Sequence, residues 1–135
     1  MAGSDSEYLM IEDNSFDVQI FLFDFANHEI VKKFKILRNA TAALDYLFTE
    51  DGSLRVEPPK VIFLDLHMPK MNGVELLQRI KSNERTKGIP VVVLKSSISP
   101  REVRECQQLG VHDYIDKPLQ YEGVVNAINK FSACF

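Results

Sequence analysis

The chain contains no tryptophan and only two cysteines, Cys106 and Cys134, which form no CxxC pair. It also lacks the basic start and apolar stretch of an export signal in Met1 to Glu7. Both thiols are therefore expected reduced rather than bridged. No apolar run approaches the roughly 18 residues that a membrane span requires. There is no excess of positive charge: 16 Lys and Arg stand against 19 Asp and Glu, a net charge of -3, so no sequence-wide footprint for nucleic acid exists. Internal repeats and low-complexity tracts are absent too. Hydrophobic residues make up 45% and charged residues 26%, which excludes disordered and collagen-like chains. What is left, 135 residues, is one domain's length, enough to bury a core without staples. The expectation is a cytoplasmic single-domain protein with no membrane and no direct nucleic-acid partner.

What is present is an alternation of two patterns. Tyr8-Leu9-Met10-Ile11, Val61-Ile62-Phe63-Leu64 and Val91-Val92-Val93-Leu94 are short, continuously apolar and largely β-branched. They read as strands buried on both faces, as in a parallel sheet. Ile30 to Leu37, with Val31, Phe34 and Ile36, and Tyr114-Ile115 read as further strands. Between them lie helical stretches. Ser15 to Ala26 places Val18, Phe21, Leu22 and Phe25 on one face, with Phe16, Ile20 and Phe23 opposite. Asn39 caps a helix whose inner face is Ala40, Ala43, Leu44 and Leu47. Asn72-Gly73 opens another, with Val74, Leu77 and Ile80 inward. Ser99-Pro100-Arg101-Glu102 is a capping box with proline at the first helical position, and Gly110 ends that helix. Val124, Val125, Ile128 and Phe131 stripe the last one, which Gly123 weakens. Strand–helix alternation predicts an α/β fold: a five-stranded parallel sheet of order 2-1-3-4-5 with helices on both faces.

In such a sheet, ligands bind beyond the carboxyl ends of the strands. Glu12 and Asp13 follow the first strand, Asp65 the third, Lys95 the fourth and Lys117 the fifth. The order places the first and third strands side by side, so Glu12, Asp13 and Asp65 share a cleft. Three close carboxylates repel unless a cation intervenes, and hard oxygen donors suit Mg²⁺. A lysine opposite them makes the cleft suited to receiving a phosphoryl group, with a carboxylate as nucleophile. Either Asp13 or Asn14 could instead serve only as a helix cap. Asp65 lies too far before the next helix for that role.

Four segments, YLMIEDN (8–14), VIFLDLHMPKMNG (61–73), IPVVVLKSS (89–97) and YIDKP (114–118), resemble the response-regulator receiver domain. The likeness spans residues 8–131, with tails at 1–7 and 132–135, and implies the flavodoxin-like receiver fold. Ala43 to Phe48, followed by a long loop through Pro59, is similar to stand-alone receivers linked to bacterial phytochrome kinases. The resemblance implies that Asp65 accepts a phosphoryl group from a sensor histidine kinase or phosphotransfer protein. It implies that Asp13 ligates Mg²⁺ directly, Glu12 mainly through water, and Asp65 and the backbone carbonyl of His67 complete the set. Lys117 would contact the phosphoryl oxygens, ahead of a cis peptide to Pro118. Tyr114 matches an aromatic switch position, or is a strand tyrosine half-buried against the last helix. Phe16, Ile20 and Phe23 would dock the kinase or phosphotransfer helices if they stand exposed.

Other residues read more plainly. The His67 side chain belongs at the cleft mouth, His28 and His112 on the surface, and Met10, Met68 and Met71 in packing. The fourth helix, fifth strand and fifth helix suggest a homodimer surface, with Arg101, Arg104 and Glu105 as pairing charges or merely a solvated face. The chain ends soon after the last helix, so signalling through a separate partner is expected. An enzyme is not: an aspartate-nucleophile hydrolase usually has a second acid two residues on, where His67 stands, and Glu12-Asp13-Asn14-Ser15 would repel a flavin phosphate. Lys95 departs from the pattern. The family has threonine or serine there, then a small residue, here Ser96. The missing hydroxyl opens an alternative, an interaction module with impaired switching. Lys95 is expected to contact Asp65 or Glu12 and weaken Mg²⁺ binding, unless it swings out to solvent.

Overall fold

The computed structural model describes residues 7–68, 72–95, 97–111 and 113–132. Its elements are β1 (Tyr8–Ile11), α1 (Ser15–Asp24), a 3-10 turn (Glu29–Lys33), β2 (Phe34–Leu37), α2 (Ala40–Leu47), β3 (Val61–Asp65), α3 (Gly73–Ser82), β4 (Val91–Lys95), α4 (Pro100–Gln108), β5 (Asp113–Asp116) and α5 (Tyr121–Ser132). All strand pairings are parallel, in the order β2-β1-β3-β4-β5. The expected architecture is therefore the observed one. No helix among the described residues is long and apolar enough to cross a membrane.

The continuous apolar runs serve two cores. Leu9, Ile11, Ile62, Leu64, Val91 and Val93 face a cluster under α2, α3 and α4. Tyr8, Met10, Val61, Phe63, Val92 and Leu94 alternate with them and face α1 and α5. The edge strands β2 and β5 are only partly covered. Met10 and Met68 are buried, as expected of packing residues, and Cys106 is a buried free thiol whose pKa burial pushes up to about 11. Met71, Ser96, His112 and Cys134 lie outside the described residues.

Local signals hold where caps are explicit. Asn14, Asn39, Asn72 and Ser99 each accept a first-turn backbone N–H. Gly110 takes a φ of 89°, which suits glycine at a helix end. Four details differ from expectation. Residues 30–33 form the 3-10 turn instead of strand, because β1 offers partners only from Phe34 to Leu37. α1 stops at Asp24, and Leu22, placed on the core face, is 45% exposed. In α3 the buried face is Leu76, Leu77 and Ile80, with Val74 half-buried at the helix start. His28 is half-buried, its ring stacked on Tyr121 at 3.8 Å between centroids.

Glu7, read as tail, is tied to the sheet. Its N–H donates to Lys33 O and its carbonyl accepts from Lys60 N, both at 2.8 Å. Its carboxylate pairs with Lys60 at 2.6 Å and Lys33 at 3.2 Å. These bonds, Lys60's foremost, hold its carboxyl below the ordinary 4.5. A depressed folded value means stabilisation at neutral pH that disappears as the pH falls through it. Glu7→Gln is expected to lower stability by about 0.5 kcal/mol at neutral pH, with the gap to wild type closing in acid, as paired urea melts would read.

Candidate functional site

The site lies where β1, β3 and β5 end. Glu12 and Asp13 follow β1 directly, Asp65 is the last residue of β3, and Lys117 follows β5. Carboxylate oxygens of Glu12, Asp13 and Asp65 all lie within 4.8 Å of one another. Glu12 is 2% exposed and Asp65 5%. The ammonium of Lys117 enters this group, 2.7 Å from Glu12 Oε1 and 3.4 Å from Asp65 Oδ2. The peptide between Lys117 and Pro118 is cis, as the resemblance implied.

Burial and like charge dominate the titration of Glu12 and Asp13. Burial, then the hydrogen bond with Asp65, push Glu12 up to about 7 against the pull of Lys117. Burial and Asp65 raise Asp13 as well. For Lys117, burial opposes the charge, but Glu12, Asp65 and Asp17 more than offset it and the ammonium is held above its ordinary value. Lys117 is thus a fixed cation beside two acids, Glu12 and Asp13, that ionise reluctantly. Oxygen donors in such a cluster, with positive charge already in demand, suit a hard divalent cation.

Backbone groups fix the acids. Asn14 N donates to Glu12 Oε2 at 3.2 Å, and His67 N to Asp65 Oδ1 at 3.1 Å. Asn14 is the α1 cap, accepting from Asp17 N, which leaves Asp13 to the cleft. After β3 the chain returns against itself: Gly73 N donates to Leu66 O at 2.8 Å. A Cβ on Gly73 would lie 2.6 Å from Asp65 O and collide with Leu66 Cα.

Two contributors were not foreseen. Asp17, in the first turn of α1, accepts from Lys117 at 3.1 Å. Arg38, just past β2, clamps the turn after β1: Nε donates to Glu12 O at 3.1 Å, and Nη2 to Asp13 O at 2.9 Å and Ser15 Oγ at 2.7 Å. The signal for Arg38 was available, since β2 neighbours β1 and a residue past its end reaches the same cleft. The expectation for Lys95 fails. Its ammonium contacts neither Asp65 nor Glu12; it pairs with Asp116 at 2.8 Å. The two are register partners across β4 and β5, so Asp116 offers the nearer carboxylate. Tyr114 is half-buried, but packs on the α2–α3–α4 core instead of α5, its hydroxyl 3.5 Å from Val111 O. His67 does point outward at the cleft mouth, its ring on Glu102. On α1, Phe16 is 69% and Phe23 83% exposed, with Ile20 half-buried between them. Arg101 pairs with Glu105 on its own helix at 3.6 Å.

Residues 9–129 match the family model described as the response regulator receiver domain. The probable methanogenesis regulatory protein FilR2 of Methanothrix harundinacea is 35% identical over 122 residues, covering 90% of this chain and 78% of that protein. Response regulator Rcp1 of Synechocystis is 36% identical over 110 residues, 81% of this chain and 74% of its own. Its Mn²⁺-bound structure matches with a TM-score of 0.69 at 29% identity, over 93% of this chain and 91% of that one. The bacteriophytochrome response regulator AtBRR matches with a TM-score of 0.77 at 31% identity, again over 93% and 91%.

Proposed function

The chain belongs to the response-regulator receiver family of two-component signalling, and from that premise we propose that Asp65 accepts one phosphoryl group from the phosphohistidine of a sensor histidine kinase or phosphotransfer protein, with Mg²⁺, and that the chain signals through a separate partner. The observation carrying this reading is the placement of Asp65. It is a buried carboxylate at a strand end, flanked by two further acids and 3.4 Å from a half-buried lysine. In the step, an Asp65 carboxylate oxygen attacks phosphorus. The O–P bond forms, the P–N bond breaks, and its electron pair stays on the donor's imidazole nitrogen. The His67 N–H on Oδ1 orients the nucleophile. Lys117 faces the place where charge gathers on the transferring oxygens.

Glu12, Asp13, Asp65 and the His67 carbonyl would hold Mg²⁺, and the all-oxygen donor set suits it. When bound, that ion neutralises charge on the phosphoryl oxygens. Manganese in the Rcp1 structure supports a divalent-ion requirement. The test is incubation with a small phosphodonor and Mg²⁺, followed by intact mass. A gain of one phosphoryl group, absent in Asp65→Asn and suppressed by a chelator, is the expected result; an unlabelled wild type would refute it.

The exposed stripe of α1 fits donor docking, since aromatic clusters left in water mark partner surfaces. Phe16→Ser with Phe23→Ser is expected to slow transfer from a phosphorylated histidine domain by about tenfold, while labelling by the small phosphodonor stays unchanged. Self-association through α4, β5 and α5 belongs to the same proposal. A higher mass in sedimentation with phosphodonor than without supports it, and a monomer in both opposes it.

A second reading, an interaction module with impaired switching, draws on Lys95. That residue offers no hydroxyl and its ammonium is taken by Asp116. Since the ammonium stands apart from the acids, Lys95→Thr is expected to leave Mg²⁺ affinity within about twofold by calorimetry. A marked gain in affinity would restore Lys95 as a counter-ion. A phosphorylation-dependent change at Tyr114 that appears only in Lys95→Thr would favour the second reading.

A further inference from the structure

His67 reaches in two directions. Its backbone N–H donates to Asp65 Oδ1 at 3.1 Å, inside the cleft. Its ring Nε2 meets Glu102 Oε2 at 2.9 Å, in the first turn of α4. Glu102 is already committed to that helix start. Its Oε1 accepts the Ser99 N–H at 2.9 Å, and its own N–H is held by the Ser99 hydroxyl at 3.1 Å. The Ser99 N–H first, and then His67, hold the Glu102 carboxyl below the usual range. The carboxylate is therefore the acceptor, and His67 Nε2 carries the proton. At the neighbouring strand end, Lys95 has no hydroxyl to offer and is engaged by Asp116.

Resting on the reading of Asp65 as acceptor, we infer that His67 and Glu102 are positioning residues: the bridge between them pins the peptide unit that orients Asp65 and ties it to the start of α4. One carboxylate serves both ends, Oε1 capping the helix and Oε2 holding the acceptor loop. The bridge is partly exposed, so its effect is a few-fold one. It acts on an N–H that fixes one oxygen of the nucleophile, and a small change in that orientation reads directly in rate.

The test reads two quantities on the same variants: amide exchange at residue 67 in the metal-free protein, and the rate of labelling by a small phosphodonor with Mg²⁺. In His67→Ala and in Glu102→Ala, the residue-67 amide is expected to exchange about threefold to fivefold faster, and labelling to slow by a similar factor. The double variant should be no slower than either single one, because both remove the same contact. Glu102→Gln should restore both readings, since its oxygen can take the Ser99 N–H and its amide can meet the other tautomer of His67. Ser99→Ala separates positioning from mere support of the helix. It removes the hydroxyl half of the cap, leaves the bridge, and should change neither reading. Losses in Ser99→Ala equal to those in Glu102→Ala, or additive losses in the double variant, overturn the inference. If the wild type takes no phosphoryl group, the acceptor reading falls by itself, and amide exchange still decides whether the bridge pins residue 67.

Discussion

Lys117→Ala should lower the stability of the metal-free protein by about 3 kcal/mol and, at the same time, tighten its hold on Mg²⁺. Lys117 is the ammonium that Glu12, Asp17 and Asp65 share, at 2.7, 3.1 and 3.4 Å. Without it, acids buried beside one another lose their counter-charge, and only protonation of Glu12 limits the damage. A divalent ion would then no longer compete with the Lys117 ammonium, and ligand that binds only the folded state stabilises it by mass action. Mg²⁺ should therefore raise the melting temperature more in the variant than in wild type. Lys117→Met, which keeps the apolar stem, should behave the same way if charge and not packing is responsible. Asp65→Asn gives the opposite sign: one repelling charge leaves, and the metal-free fold gains stability. Unchanged stability in Lys117→Ala, or weaker Mg²⁺ binding, would contradict this electrostatic account.

Gly73→Ala is the second change with a large expected effect. Alanine is ordinarily favoured over glycine in a helix. Here the added methyl would meet backbone, 2.6 Å from Asp65 O and against Leu66 Cα, and backbone cannot rotate away. Separating α3 from the end of β3 would break the Gly73 N to Leu66 O bond of 2.8 Å and shift the acceptor itself. The expected loss is about 3 kcal/mol, read by urea unfolding, with slower labelling of the fraction that remains folded. Gly88 is the internal control. A Cβ there meets nothing within 4 Å, so Gly88→Ala should alter stability little.

The sheet was readable because its central strands are buried on both faces and so contain no polar interruption. That purity also exposes Glu12, Asp13 and Asp65 as the first acids after each apolar run. β2 was read too long because its apolar residues run past the end of its neighbour β1, and pairing length depends on the neighbour. Leu22 and Lys95 failed for related reasons. A helical wheel says which residues share a face, but not how far the neighbouring elements extend to cover it. Lys95 was assigned to the acidic cleft by its strand end alone, whereas the β4–β5 register sets Asp116 beside it. The bridge from His67 to Glu102 joins the loop after β3 to the first turn of α4, two places whose separation no local pattern encodes. Arg38 is different, since strand order alone brings it to the Glu12–Asp13 turn.

The central claim is that the nucleophile is the Asp65 carboxylate, and the most direct measurement is to locate the phosphoryl group chemically. An acyl phosphate differs from a phosphate ester in being reduced by borohydride to an alcohol. Labelled protein should be reduced, digested and sequenced by mass spectrometry. The account predicts aspartate reduced at position 65 alone, in the peptide containing Val61 to Met68, with no reduction in protein kept from the phosphodonor. Reduction at Asp13 instead, or a phosphate that survives borohydride on a serine or threonine, would contradict it.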